Sequence, residues 1–234
     1  MAVASAVPPR KGCPLTEVET WIFDLDNTLY PASCNLFVQV EARMGAFIAG
    51  ELGITEEEAH ALRRRWFREH GTTLRGLMNE HGLEPRRFLD YVHEIDLAGV
   101  PPDPALVAAV AALPGRKVVF TNGSERHAER LLAHLGLTEH FVGIHDIVAC
   151  QYLPKPDPSG YHRLVERHAI DPRRAAMIED MAKNLLPAAA LGMTTVWVRH
   201  DADWANEGQG DHVHHIVDRL APWLQQWARQ PGRG

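Results

Sequence analysis

Short apolar segments that alternate with amphipathic helical patterns constrain the fold of this chain more than any other feature. The apolar segments have the length of buried β-strands, and they lie at residues 18–23, 118–120, 144–149, 175–178 and 193–198. Turn residues and then apolar side chains at helical spacing follow each of them. Such alternation is typical of a parallel sheet with helices on its faces and right-handed crossovers. We therefore predict an α/β protein with a Rossmann-like sheet.

One interval in this alternation is much longer than the others. Residues 32–100 contain no strand pattern, and their apolar side chains recur at spacings of three and four. We interpret this interval as an all-helical insertion of about four helices. Residues 15–31 and 101–234 then form one core domain. Residues 1–14 are rich in Ala, Val and Pro, and we expect a flexible tail there.

Composition excludes several classes of function. The net charge of −6 and the pI near 6.1 leave no basic surface for a nucleic-acid polymer or an anionic membrane. No apolar run is long enough to span a bilayer. The three cysteines, Cys13, Cys34 and Cys150, lack metal-type spacing and are typical of reduced thiols in a cytoplasmic protein. We expect a monomer or homodimer that acts on a small molecule.

The first apolar segment ends in two carboxylates, Asp24 and Asp26. Side chains two positions apart in an extended chain point the same way, so both acids reach the end of the strand together. Open α/β sheets bind ligands at the carboxyl ends of their strands. Adjacent carboxylates repel each other, and Mg²⁺ is an oxygen-seeking cation that offsets such repulsion. Asn27 tolerates a left-handed backbone, which allows a sharp turn directly after the acids.

Polar residues also follow the other predicted strands. They are Thr121, Asn122 and Gly123 after the second strand, Lys155 after the third, and Glu179, Asp180 and Asn184 after the fourth. In a parallel sheet these strand ends lie at one edge, so residues distant in sequence converge there. The spacing by itself indicates that acids, a hydroxyl group and a lysine meet at this edge.

This set of residues resembles the motifs of a known family. The segment Asp-Leu-Asp-Asn-Thr-Leu at residues 24–29 is similar to the first motif of the haloacid dehalogenase (HAD) superfamily of phosphatases. Asn27 and the Tyr30-Pro31 pair resemble its pyrimidine 5′-nucleotidase branch. The other three strand ends resemble the second, third and fourth motifs in order. The resemblance covers residues 21–198, and it implies that the helical insertion is a cap over the site.

The resemblance also implies catalytic roles. Asp24 attacks phosphorus and forms an aspartyl-phosphate, while Asp26 protonates the leaving oxygen and then accepts a proton from the attacking water. Thr121, Asn122 and Lys155 bind the phosphoryl oxygens, on which the charge is spread.

A magnesium site follows from the same resemblance. It implies that Mg²⁺ is held by Asp24, Asp180 and the backbone carbonyl of Asp26. Glu179 and Asn184 are expected to orient the ligand shell from outside, Glu179 through a water molecule.

We therefore predict a Mg²⁺-dependent phosphomonoesterase, with nucleoside 5′-monophosphates such as UMP and CMP as the expected substrates. The alternatives are a phosphatase or mutase acting on a sugar phosphate or another small phosphometabolite, and a non-catalytic binding protein on the same fold. The dehalogenases of the superfamily lack the second acid, so Asp26 argues against that reaction.

Some features allow two interpretations. The arginines at 63–65 either contact a substrate or form a solvated helix face, which is the commoner case. The aromatic residues of the insertion either stack on a base or form its core; they are Trp66, Phe67, Phe88 and Tyr91. The histidines after residue 210 suggest either a metal site or a surface cluster; they are His212, His214 and His215. His127 is a candidate for the rim of the site, without an assigned role.

Overall fold

The computed structural model describes residues 12–200 and 207–228, and the predicted α/β fold is confirmed. A six-stranded sheet has the order β3-β2-β1-β4-β5-β6, and all its neighbouring strands are parallel. The strands are β1 (Thr20–Phe23), β2 (Arg116–Phe120), β3 (Gly143–His145), β4 (Ala175–Glu179), β5 (Thr194–Val198) and β6 (His215–Val217).

The α-helices of the described residues are α1 (Leu36–Leu52), α2 (Glu56–His70), α3 (Thr73–His81), α4 (Pro85–Val92), α5 (Pro104–Ala112), α6 (Glu125–Leu135), α7 (Pro158–Arg167), α8 (Leu186–Leu191) and α9 (Leu220–Gln225). Helices α5–α9 cover both faces of the sheet. Because side chains alternate along a strand, Trp21 and Phe23 belong to the core shared with α5, α6 and α9. Ile22 belongs to the opposite core, with α7 and α8.

The strand order reverses at β1, and this positions the site. From β1 the chain proceeds to β2 and β3 on one side, and then to β4, β5 and β6 on the other. The carboxyl end of β1 therefore lies between those of β2 and β4, where an open α/β sheet places its ligand crevice. In register, Phe23 pairs with Val119 on one side and with Ile178 on the other.

The long interval between β1 and β2 contains helices α1–α4 and no strand. Thr55 begins α2 with a capping box, because its side chain accepts from Glu58 N–H while the Glu58 carboxylate accepts from Thr55 N–H. Each of α1, α2 and α3 ends at a glycine with a left-handed backbone. The all-helical character predicted for this insertion is confirmed.

Two segments differ from their predicted form. The strand expected over residues 144–149 ends at His145, because the Asp146 carboxylate accepts from Ala149 N–H at 2.9 Å and thereby closes a turn. Residues 1–11 of the predicted tail lie outside the described residues. Cys13, which follows them, lies against β5, where its carbonyl accepts from the Thr194 hydroxyl at 2.7 Å.

The structure bears on two expectations from composition, the lack of a membrane-spanning segment and the reduced cysteines. Within the described residues, none of the helices is both long enough and apolar enough to cross a bilayer. The three cysteines are free thiols.

Candidate active site

The loop after β1 turns sharply and presents two acids at the edge of the sheet. Asn27 has the expected left-handed backbone, with φ 62°. Because of this turn, residues four apart contact each other. The Thr28 hydroxyl donates to Asp24 Oδ2 at 2.8 Å, and the Tyr30 hydroxyl donates to Asp26 Oδ1 at 2.9 Å. Neither the contact of Thr28 nor that of Tyr30 was predicted, although both pairs have a spacing of four in the sequence.

Lys155 lies at the centre of the site. Its ammonium group donates to Asp24 Oδ1 at 2.6 Å, to Glu179 Oε1 at 2.8 Å and to the Phe120 carbonyl at 2.9 Å. These partners lie at or just beyond the ends of three different strands, so the predicted convergence of strand ends is present. The lysine side chain is almost fully buried, with 1% of its surface exposed. A buried ammonium group in contact with two carboxylates is a strong local source of positive potential.

The two polar residues after β2 have different surroundings. The Thr121 hydroxyl oxygen accepts from Gly123 N–H at 2.9 Å, which leaves its proton available for a further acceptor. The Asn122 side chain holds the loop of Lys155 instead of pointing to a ligand. Its Oδ1 accepts from Lys155 N–H at 2.8 Å. The predicted contact of Asn122 with a phosphoryl oxygen would therefore be made by its backbone N–H.

A cluster of carboxylates follows β4. Oxygens of Asp24, Glu179 and Asp180 lie within 4.8 Å of one another, and all three residues are buried. Both Glu179 oxygens already accept protein hydrogen bonds, one from Lys155 and Asn184 and the other from Met181 N–H. Each Asp24 oxygen accepts only one such bond, and Asp180 Oδ2 lies 3.2 Å from His200 Nε2. Both carboxylates therefore keep lone pairs for a ligand, whereas Glu179 Oε1 already accepts two hydrogen bonds.

The donor set of this cluster fits a magnesium ion. Lys155 supplies one positive charge to these three buried carboxylates and pairs with two of them, Asp24 and Glu179, so negative charge is in excess. The side-chain oxygen of Asn184 is buried beside it without a hydrogen-bond partner, while the Nδ2 of the same amide donates to Glu179. Carboxylate and amide oxygens are the ligands that Mg²⁺ or its bound water prefers.

The pKa values of these acids reflect their burial. Burial raises the pKa of Asp24 to about 7, because desolvation outweighs the nearby charge of Lys155 and the Glu179 carboxylate adds repulsion. Burial likewise raises the pKa of Glu179 to about 7 despite Lys155. The pKa of Asp180 is raised by burial as well, although a hydrogen bond with His200 opposes the effect. A divalent cation would offset this accumulation of buried negative charge.

Asp26 has the opposite electrostatic environment. Burial acts to raise its pKa, but the charge of His127 and hydrogen bonds from His127 and Tyr30 outweigh that effect and lower the pKa to about 2. His127 Nε2 lies 2.9 Å from Asp26 Oδ1. His127 was predicted at the rim of the site, and in the structure it is buried and hydrogen-bonded to the acid.

Comparison with known proteins identifies the family. The family model described as "haloacid dehalogenase-like hydrolase" matches residues 18–192. The chain belongs to this family.

Relatives of known name within the family include several phosphatases. Phosphate metabolism protein 8 of Saccharomyces cerevisiae is 27% identical over 207 residues, which are 80% of this chain but 63% of that protein. The chain thus spans less than two thirds of that relative. A phosphoglycolate phosphatase of Mesorhizobium japonicum is 28% identical over 218 residues, with 87% of this chain and 95% of the relative covered. The fructose-1-phosphate phosphatase YqaB of Escherichia coli is 32% identical over 130 residues, 52% of this chain and 67% of the relative.

Solved structures have the same fold. A HAD phosphatase from Thermococcus onnurineus superimposes with a TM-score of 0.61 at 17% identity, over 89% of this chain and 97% of the other. The L-2-haloacid dehalogenase from Xanthobacter autotrophicus with covalently bound chloropropionic acid has a TM-score of 0.56 at 15% identity, over 89% and 97%. At these identities the likeness concerns the fold alone.

The arginines and aromatic residues singled out in the insertion differ in their partners and burial. Arg63 pairs with Glu41, and Arg65 pairs with Glu80, both within the insertion. Trp66 and Phe88 are buried core residues, whereas Phe67 and Tyr91 are exposed.

The histidine cluster after residue 210 bonds to the core. His212 Nε2 lies 2.9 Å from the Ala182 carbonyl, and His214 Nδ1 accepts from Thr195 N–H at 3.0 Å. Among the described residues, the groups of acids, histidines and cysteines close enough to share a metal ion are Asp24/Glu179/Asp180 and Glu69/His70/Glu80, which excludes this cluster.

Proposed function

We propose that the chain is a Mg²⁺-dependent phosphomonoesterase that acts through an aspartyl-phosphate on Asp24. The observation that supports this most is the contact of Asp24 with the buried ammonium group of Lys155, at the switch point of the sheet. A carboxylate beside a buried cation is suited to attack a group whose negative charge is spread over several oxygens. A non-catalytic binding protein would not need this pairing.

The proposed reaction has two steps. An Asp24 oxygen forms a bond to phosphorus while the bond between phosphorus and the leaving oxygen breaks, and Asp26 gives its proton to that oxygen. Asp26 then accepts a proton from a water molecule, whose oxygen attacks phosphorus. The bond between phosphorus and Asp24 breaks, and inorganic phosphate leaves.

Three groups hold the phosphoryl oxygens in this proposal. Lys155 supplies a fixed positive charge, the Thr121 hydroxyl donates its available proton, and the backbone N–H of Asn122 donates beside it. Asp24, Asp180 and the Asp26 carbonyl would hold Mg²⁺, with Asn184 and Glu179 behind them. Bound there, the cation neutralises charge on the phosphoryl oxygens and on the buried carboxylates.

Protonation of Asp26 accompanies substrate binding in this mechanism. Without substrate its low pKa keeps the side chain ionised. A phosphate dianion beside the carboxylate disfavours the charged form and raises that pKa. The proton that Asp26 later transfers is therefore taken up as the substrate binds.

We propose a small phosphorylated metabolite as substrate, for a cytoplasmic enzyme that is a monomer or homodimer. The nucleoside 5′-monophosphates UMP and CMP stay our candidates because of the motif that includes Asn27 and Tyr30. Exposed Phe67 on α2 supports them, since its ring lies 5.6 Å from the ammonium group of Lys183, three residues beyond Asp180. An aromatic ring at that place could stack on a base.

The relatives support a second candidate class. The names phosphoglycolate phosphatase and fructose-1-phosphate phosphatase point to compact phosphate esters without a base. A mutase that returns the phosphoryl group to another hydroxyl of the substrate shares the same core residues. A mutase differs from a phosphatase in how long the aspartyl-phosphate survives before water hydrolyses it.

The reaction is tested with p-nitrophenyl phosphate, with Mg²⁺ and with EDTA. We expect turnover that EDTA abolishes, and an Asp24→Asn variant at least about 10³-fold slower than the parent protein. Asp103→Asn is the matched control, because Asp103 starts α5 away from the site and asparagine caps helices equally well. Equal activity of the parent and Asp24→Asn would refute the proposal.

The substrate class is tested with a panel of UMP, CMP, phosphoglycolate and fructose 1-phosphate. If nucleotides are the substrates, Phe67→Ala raises KM for them about tenfold, equivalent to the roughly 1–3 kcal/mol of one base stack, and does not affect the sugar phosphate. Tyr91→Ala is the control, because Tyr91 packs against Phe47 and Arg43. Faster hydrolysis of phosphoglycolate or fructose 1-phosphate than of both nucleotides would assign the second class, and an isomeric phosphate ester as product would indicate a mutase.

A further inference from the structure

One oxygen of Asp26 is held by two donors. His127 Nε2 and the Tyr30 hydroxyl each lie 2.9 Å from Oδ1, and neither contact uses Oδ2. His127 is nearly fully buried, with 2% of its side chain exposed, whereas 23% of the Asp26 side chain is exposed. The two donors therefore fix the carboxylate from the protein side and leave the other oxygen for proton transfer.

A second histidine lies against His127. The rings of His93 and His127 are stacked, with centroids 4.5 Å apart and an angle of 13° between their planes. His93 Nδ1 shares a hydrogen bond with Ser124 Oγ at 3.0 Å. Ser124 begins α6, and the same oxygen accepts from His127 N–H at 3.3 Å. Ser124 thus holds the ring of one histidine and the backbone of the other.

His93 belongs to the helical insertion, whereas His127 belongs to the core. His93 is the residue at which α4, the last helix of the insertion, ends. Arg130 of α6 donates to the carbonyls of His93 at 2.7 Å and Ile95 at 3.0 Å. The chain returns from the insertion to the core at this joint. Any displacement of α4 relative to α6 therefore changes the stack of His93 on His127.

We propose that His127 is a positioning residue that orients Asp26 for proton transfer, and that His93 makes this orientation depend on the seating of the helical insertion. The proposal rests on the proposed function, since it concerns the acid and base of that reaction. Asp26 is correctly oriented only when α4 is seated against α6. The protein thereby links proton transfer to the position of the insertion.

This role has a consequence that depends on the leaving group. A leaving phenolate needs a proton more than a leaving p-nitrophenolate does, because p-nitrophenolate is the weaker base. Misorientation of Asp26 must therefore slow the cleavage of phenyl phosphate much more than that of p-nitrophenyl phosphate. Loss of general structural integrity would slow both to the same extent.

The experiment measures single-turnover release of phenol and of p-nitrophenol with the enzyme in excess over substrate. For His127→Leu we expect phenol release about 10-fold to 100-fold slower and p-nitrophenol release changed less than about threefold. His127→Gln retains an N–H donor, and we expect it to restore most of the phenol rate. Tyr30→Phe preserves shape but removes the other donor, and His93→Ala removes the stack. Both should show the same selectivity more weakly.

Glu129→Ala is the matched control. Glu129 lies on α6 two residues after His127, and its side chain is exposed to solvent. Its loss should leave the ratio of the two rates unchanged.

The proposal is overturned if Tyr30→Phe and His127→Leu slow both esters equally or leave both unchanged, or if Glu129→Ala gives the same selectivity. A parent protein without Asp24-dependent turnover would refute the proposed function itself, which is a separate outcome.

Discussion

Replacement of Lys155 by methionine removes the buried ammonium group that pairs with Asp24 and Glu179. The methionine side chain has a length similar to that of lysine but carries no charge, so the substitution changes charge more than volume. Three hydrogen bonds are lost, to Asp24, to Glu179 and to the Phe120 carbonyl. The carboxylates of Asp24 and Glu179 stay buried but lose the ammonium group that balances their charge.

The magnitude follows from the burial of the pairs. Removal of one partner of a buried ion pair costs about 3–5 kcal/mol, because the other charge is left uncompensated. For a chain of this size that lowers the midpoint of thermal unfolding by about 6–20 °C. Burial already raises the pKa values of Asp24 and Glu179 to about 7 with Lys155 present, so both values rise further in the variant.

The pH dependence has a definite sign. An acid whose pKa is raised in the folded state destabilises the fold once the pH exceeds its unfolded pKa, and the cost grows until the pH passes the folded pKa. The difference in unfolding free energy between parent and Lys155→Met should therefore be larger at pH 8 than at pH 5.5. The measurement is chemical denaturation at both pH values, in EDTA, so that both proteins are free of metal.

Two further variants test the reasoning. Lys183→Met removes a partly exposed lysine 3.4 Å from Glu207, and we expect a cost below about 1 kcal/mol. Addition of Glu179→Gln to Lys155→Met removes one uncompensated charge, and it should recover part of the lost stability. If Lys155→Met stays within about 1 kcal/mol of the parent at both pH values, the buried pairs do not stabilise the fold as argued.

Two other predictions concern the core and the insertion. Burial, followed by the charges of His168 and Arg167, lowers the pKa of His145 to about 4, and both its ring nitrogens lack partners. The free energy of unfolding should therefore fall by about 3 kcal/mol as the pH drops from the unfolded His145 pKa of about 6.5 to about 4, because the buried ring must then accept a proton. Chemical denaturation of His145→Phe should not show this loss. In the insertion, Gly76→Ala should destabilise by about 1–3 kcal/mol, because a methyl group there would lie 2.1 Å from the Trp66 side chain. A methyl group at Gly50 would meet open space, and Gly50→Ala should stabilise the protein by about 0.5–1 kcal/mol. Thermal melts in which both glycine variants shift the unfolding midpoint in the same direction would contradict this packing.

Much of the fold could be predicted because its signals are local. Short apolar segments and helical patterns located five of the strands and the all-helical insertion. The strand predicted after residue 143 was too long, because the turn there depends on the side chain of Asp146 rather than on hydrophobic pattern. Capping residues such as Thr55 and Asp103 were predictable, since their partners lie within three residues.

The hydrogen-bond partners within the candidate site could be predicted only in part. Strand ends of a parallel sheet share an edge, so the proximity of Asp24, Lys155 and Asp180 follows from the fold class. The phosphate contact of Asn122 stays a prediction, whereas the hydrogen bond of its side chain to Lys155 N–H was not predicted. The contact of His200 with Asp180 was not predicted, because it joins two loops of different strands.

The sequence by itself determined the order of the elements and the chemical groups at each strand end, because both depend on residues close together along the chain. Only the tertiary structure decided which carboxylate contacts which cation. Asp26 and His127 are separated by 101 positions, and Asp24 and Lys155 by 131. Their contacts and pKa values depend on how sheet, helices and insertion pack, since burial removes the water that would otherwise screen these charges.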